Sequence, residues 1–144
     1  MTPRILARAL LPFALLCGGP ARAASCRIVS TTSLAFTYDV FSASPQQLRG
    51  TIGYDCAPPA SPSLTLSAGT SGNAAARSMQ WSGGADKLLY NVYTDAACTQ
   101  VWSSQALPGI GQHSQSLTFY ACLPALQDVS AGSYADTLTV TINF

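Results

Sequence analysis

The chain has 144 residues, with seven Lys and Arg against six Asp and no Glu. Charged residues make up only 9% of it, which excludes the clustered Lys and Arg that nucleic acid or a polybasic membrane contact requires. Apolar residues at 48% and this length fit one domain with a real core.

The first 23 residues read as a secretory signal, removed on export. Arg4 and Arg8 give a positive start, residues 9–16 (ALLPFALL) a short apolar stretch, and Gly18, Gly19 and Pro20 a break. Ala21-Arg22-Ala23 then fits the small-x-small cleavage rule. The apolar stretch is about half of the roughly 20 residues a membrane span needs. Cys17 follows Leu16, where lipoprotein processing needs a small residue. Cleavage after Ala23 leaves residues 24–144 as the mature domain, in which Arg27, Arg49, Arg77 and Lys87 face six Asp, a net charge of −2. It also leaves four cysteines, Cys26, Cys56, Cys98 and Cys122. An even number in an exported chain predicts two disulfides, and spacing alone does not choose among the three pairings.

Beyond Cys26 the pattern has period two, the mark of half-buried strands. Leu34, Phe36 and Tyr38 share one parity. Leu48, Gly50, Ile52, Tyr54 and Cys56 follow, then Leu64, Leu66 and Ala68. Leu88, Tyr90 and Val92, then Leu117, Phe119 and Ala121, then Leu138, Val140, Ile142 and Phe144 complete the set. Between them lie turn formers: residues 42–45 (SASP), the proline-rich 57–62, residues 69–73, Gly83-Gly84 and residues 108–111. Residues 74–79 have room for one helical turn, and Trp81 stands in a loop-like context. Six or seven short strands with loops every 8–15 residues predict an all-β sandwich of immunoglobulin type, with a barrel as the alternative.

Chemistry finds little support. A hydrolase needs a nucleophile, a base and an orienting acid. His113 is the sole imidazole and sits in the polar run GQHSQ, with no GxSxG elbow anywhere. Asp39, Asp55, Asp86, Asp95, Asp128 and Asp136 stand beside turns or strand ends, where Asp caps main-chain groups. Residues 82–86 lack the alternating oxygen ligands of a calcium loop. No cofactor, metal or catalytic residue is expected. Tyr90, Tyr93, Trp102, Phe119, Tyr120 and Tyr134 read as core and edge fillers ahead of a patch for a sugar or an abiotic surface.

The closing stretch 131–144 (AGSYADTLTVTINF), with Gly132, Tyr134 and Asp136, resembles the terminal motif of the spore coat protein U domain family, which includes the pilins of archaic chaperone–usher pathways. Other pieces agree in order: Cys26 at the opening, LAFTYD at 34–39, the strand 50–56 ending in cysteine, RSM at 77–79, LLYNVYTD at 88–95 and Val101-Trp102. The resemblance implies an immunoglobulin-like sandwich lacking its last strand, with disulfides Cys26–Cys56 and Cys98–Cys122. It implies a groove beside the C-terminal strand, with Leu138, Val140, Ile142 and Phe144 on the buried face. A periplasmic chaperone strand fills that groove first and a neighbouring subunit's strand later, under an usher. The expected role is therefore a secreted structural or adhesive subunit of a surface fibre or coat, passing through the periplasm. Shaft pilins of the family carry ten or more residues before the first cysteine, whereas Ala24 and Ser25 alone precede Cys26 after cleavage. The expectation is a strand-accepting tip, terminal or accessory subunit. A free-standing secreted module of the same fold is the alternative, and a small secreted hydrolase a remote one.

Overall fold

The computed structural model describes residues 25–57, 62–106 and 114–144. The signal segment, its cleavage site and His113 lie outside the described residues. Within them, ten strands and one 3₁₀ turn follow in order. The strands are β1 (Ser25–Thr31), β2 (Gln46–Ala57), β3 (Ser63–Leu66), β4 (Ser78–Trp81) and β5 (Lys87–Leu89). Then come β6 (Asn91–Tyr93), β7 (Ser104–Ala106), β8 (Gln115–Leu123), β9 (Tyr134–Ala135) and β10 (Val140–Asn143). The 3₁₀ turn occupies Gly69–Ser71, and residues 74–79 supply a turn and the start of β4, not a helical turn.

One layer is a four-stranded antiparallel sheet in the order β1-β2-β8-β6. Its long central strands, β2 of 12 residues and β8 of 9, both contain alternating stretches of the sequence. Their inward residues Ile52, Tyr54, Phe119, Ala121 and Leu123 are buried while Arg49, Thr51 and Ser116 face out. Gly50 stands opposite Phe119 in the ladder, and a Cβ there would enter the phenyl ring. The small residue admits the large one.

The second layer holds β10-β3-β7 and β5-β4-β9. Exposure alternates without a break from 133 to 143, so β9 and β10 are two ends of one extended segment. β3 pairs with its C-terminal end and β4 with its N-terminal end. Between β3 and β4 the chain makes an excursion through the 3₁₀ turn and rejoins the same edge. The count exceeds the expected six or seven because two runs are each divided into two strands, and because β1, β4 and β7 form outside the alternating stretches. Leu88, Tyr90 and Val92 read as one strand, but the chain changes sheet at Tyr90: β5 pairs with β4, and β6 with β8.

The core lies between the layers and includes Leu64, Leu66, Leu88, Val92 and Trp102, the last tilted against Phe119 with ring centroids 5.8 Å apart. Each fully buried side chain of this kind contributes about 1.5–3 kcal/mol. Trp81 ends β4 instead of lying in a loop, and its indole occupies the space that Cβ atoms at Gly83, Gly84 and Gly132 would need. Disulfides join Cys26 to Cys56, directly opposite in the β1–β2 register, and Cys98 to Cys122, pinning the turn after β6 onto β8. These are the pairings the family resemblance implies.

Candidate functional site

Leu34, Phe36 and Tyr38 keep the burial alternation of a strand, half-buried on even positions and exposed on odd ones. They were expected to form one. Yet no strand among the described residues pairs with 33–38. Period two reflects a side that faces the core. It does not require a neighbour along the edge, and among the described residues none pairs there.

Across from this segment runs the extended segment 133–143, hydrogen-bonded to β3 and β4 on one edge. Between the two lies a groove of about 950 Å³. Residues 31–38 form one wall and 132–140 the other; the floor includes Ile52, Leu88, Val92, Trp102 and Phe119. The walls approach at one end, where β1 meets β10, and the other end is marked by Tyr38 and Tyr134. Leu138 and Val140 line the groove. Ile142 packs against the core outside it, and Phe144, 60% exposed, does not face it. The main chain of Leu138 makes no hydrogen bond among the described residues.

A hydrogen-bonded polar pair sits among the residues that line the groove. Tyr90 donates from its hydroxyl to Asp136 Oδ2 at 2.7 Å. Asp136 Oδ1 accepts from Thr70 N at 2.8 Å, Thr70 Oγ1 at 2.9 Å and Thr137 N at 2.8 Å. The carboxylate therefore fastens the excursion between β3 and β4 to the groove wall. Burial, the bond to Asp136 and its charge together push the Tyr90 phenol well above its ordinary value, since each disfavours the phenolate.

Behind this spot sits Arg77, fully buried. Its guanidinium donates to the Ser67, Ala74 and Trp102 carbonyls at 2.8–3.1 Å and to Asn91 Oδ1 at 2.7 Å. Burial lowers its pKa, and the nearby Tyr90 and Asp136 oppose that. Arg77 and Asn91 also floor a second cavity of about 600 Å³ beside Cys98–Cys122. Their polar atoms are already engaged with main-chain carbonyls and with each other.

The other members of the terminal motif brace the same wall. Gly132 has φ +149°, and a Cβ there would strike Trp81 Nε1. Tyr134 donates from its hydroxyl to the carbonyl of Ser130, four residues upstream, at 2.7 Å. Asp86 accepts from Ser130 N, and this bonding holds its carboxyl below the usual range. Asp95 accepts from Gln100 N and Thr99, with the same effect. Asp39 caps Phe41 N, and Asp55 pairs with Arg27. Among the described residues no three His, Cys, Asp or Glu gather to hold a metal.

Arg77 and the Tyr90–Asp136 pair were not foreseen as structural determinants. Nothing in local periodicity marks a buried arginine, and the only hint was that RSM and the closing motif recur in order within one family.

Fold and groove together define an immunoglobulin-like β-sandwich with an open, strand-sized cleft. The chain belongs to the spore coat protein U domain family, whose model matches residues 13–141. No curated protein matches it. A similar solved structure is a chain of the CsuC–CsuE chaperone–tip adhesion subunit pre-assembly complex, from the archaic chaperone–usher Csu pili of Acinetobacter baumannii. The TM-score is 0.63 at 21% identity, covering 85% of this chain. At that identity the likeness is one of fold. This chain spans 40% of the length of that relative.

Proposed function

We propose that this protein is an exported, non-enzymatic subunit of a surface fibre or coat, and that its groove receives an extended strand from a partner protein. The observation that carries the reading is the groove between residues 31–38 and 132–140, with an apolar floor and two walls in strand-like alternation. An open apolar edge of this kind invites aggregation unless a strand covers it. Insertion of a strand supplies main-chain hydrogen bonds along the walls and apolar side chains to the floor. The partner in transit is a periplasmic chaperone; at an usher, a neighbouring subunit's strand takes its place. Family membership and the fold shared with a chaperone-bound pilus subunit support this assignment.

Within that role the chain is a strand-accepting tip, terminal or accessory subunit. β1 is already paired to β2 from Ser25 onward. With cleavage after Ala23, no segment upstream of the domain is left to donate. Periplasmic expression tests both levels. Alone, the protein aggregates or is degraded; with its chaperone it is recovered as a soluble 1:1 complex, and its N-terminus sequences from Ala24. A stable soluble monomer obtained alone contradicts strand acceptance and favours a free-standing module. An N-terminus well upstream of Ala24 contradicts only the end-subunit role.

A further inference from the structure

The wall formed by residues 33–38 continues β1, yet it leaves the sheet to which β1 belongs. β1 begins in phase with its neighbour: Cys26 stands opposite Cys56 and Ile28 opposite Tyr54, all four packed in or against the core. The register then slips by one, so that Ser30 meets Gly53 and Thr31 meets Ile52. Val29 is the extra residue of this β-bulge and is 50% exposed. Gly53 makes room for it, since a Cβ there would strike Ser30 Oγ.

Directly opposite residues of an antiparallel pair share a face. Beyond the bulge Thr32 therefore falls beside Thr51 on the solvent side, and both are exposed. Thr32 N donates to Thr51 O at 3.0 Å, but Thr51 N donates back to Thr32 Oγ1 at 3.1 Å, where a ladder would use the Thr32 carbonyl. Continued in the same register, the ladder would set Leu34 beside Arg49 and Phe36 beside Gln47, on the exposed side of β2. Leu34, Phe36 and Tyr38 pack against the core instead. A slip of one residue turns every later side chain to the other face. These three reach the core only because the chain turns over and leaves β2 toward the second layer. Alternation along β2 aims the Arg49 and Gln47 N–H groups, like Thr51 N, at the edge the chain has left. Among the described residues no strand pairs with that stretch of edge.

We propose that the Val29 bulge and the Thr32–Thr51 clip are positioning elements of the groove. By putting Leu34, Phe36 and Tyr38 out of phase with β2, they send residues 33–38 across to form a wall with a free edge for the partner's strand. This rests on the groove reading and deepens it: the incoming strand finds a second edge to pair with because β1 is bulged.

Two variants, each co-expressed with the chaperone and purified as the complex, bring the wall back into phase by different routes. Deletion of Ser33 sets Leu34 opposite Gly50 and Phe36 opposite Leu48, on the core side of β2. Ser30→Val with Thr32→Val removes the clip and favours the unbulged register, in which positions 30 and 32 face Ile52 and Gly50. The readouts are hydrogen exchange at residue resolution and the rate at which the chaperone dissociates. In both variants the Gln47 and Arg49 amides, open in the wild type, gain about a hundredfold protection. The chaperone leaves about tenfold faster, having lost the main-chain bonds of one wall. General destabilisation would lower protection at those amides, not raise it. If the deletion yields no complex, the double substitution, which keeps the chain length, decides. Gln47 and Arg49 amides that are already protected in the wild type, or that stay open in the variants, overturn the inference and leave the groove reading standing. So does a gain of protection with no change in dissociation. If residues 33–38 of the wild-type complex exchange throughout like open loop, the groove reading falls and this inference with it.

Discussion

The Tyr90 hydroxyl and Asp136 Oδ2 lie 2.7 Å apart and tie the point where the chain changes sheet, between β5 and β6, to the wall of the groove. Tyr90→Phe removes a charge-assisted hydrogen bond from a buried site, at a cost of about 2 kcal/mol in urea unfolding. Burial of the Tyr90 phenol, reinforced by this bond and by the Asp136 charge, sets a pH response. Because the folded-state pKa of Tyr90 is raised, its stabilisation is complete below the ordinary tyrosine value of about 10 and is lost as pH climbs through the folded value. Burial raises Tyr54 in the same direction. Stability therefore falls above pH about 10, and Tyr90→Phe removes about 1.4 kcal/mol per pH unit of that slope. At the acid end, Asp86 and Asp95 have lowered values, so their contribution is present above about pH 4 and lost as pH falls through their folded values. Unfolding midpoints measured from pH 2 to 11 check both ends.

Arg77 holds the loop between β3 and β4 to Trp102 and Asn91. Arg77→Met has similar length but strands several buried carbonyls, and costs at least about 3 kcal/mol. Arg77→Lys does not rescue it, since one ammonium cannot reach partners spread around a planar fork. Unfolding of both variants, with the wild type as reference, measures the difference.

Gly132→Ala puts a Cβ at positive φ against the Trp81 indole and destabilises by about 3 kcal/mol. The double variant Gly132→Ala, Trp81→Leu loses less than the sum of the singles, because the smaller side chain vacates the contested space. A double-mutant cycle by chemical denaturation reads this directly.

Legibility from sequence divides along physical lines. The β2 and β8 strands were plain because alternation, length and β-branched or aromatic content agree there. Alternation at Leu34, Phe36 and Tyr38 identified the inward side correctly, but edge pairing depends on a neighbour supplied by tertiary structure. Leu88, Tyr90 and Val92 kept one parity across a change of sheet, so the break at Tyr90 left no local trace. Trp81 was misjudged because the glycines around it look like loop; they are the residues that make room for its ring. At the groove, Leu138 and Val140 are among the lining residues, whereas Ile142 and Phe144 share their parity but are not, since parity fixes a face and not how far a cleft extends.

The central claim is that a partner's strand fills the groove and pairs with its walls. Hydrogen exchange on the chaperone-bound protein tests it most directly. The account predicts that every second amide of residues 33–38, on the edge facing the groove, and that of Leu138 are protected to a degree comparable with the β2–β8 ladder, roughly a hundredfold or more over open loop. A complex in which those amides exchange as fast as the turn at residues 42–44 would contradict it.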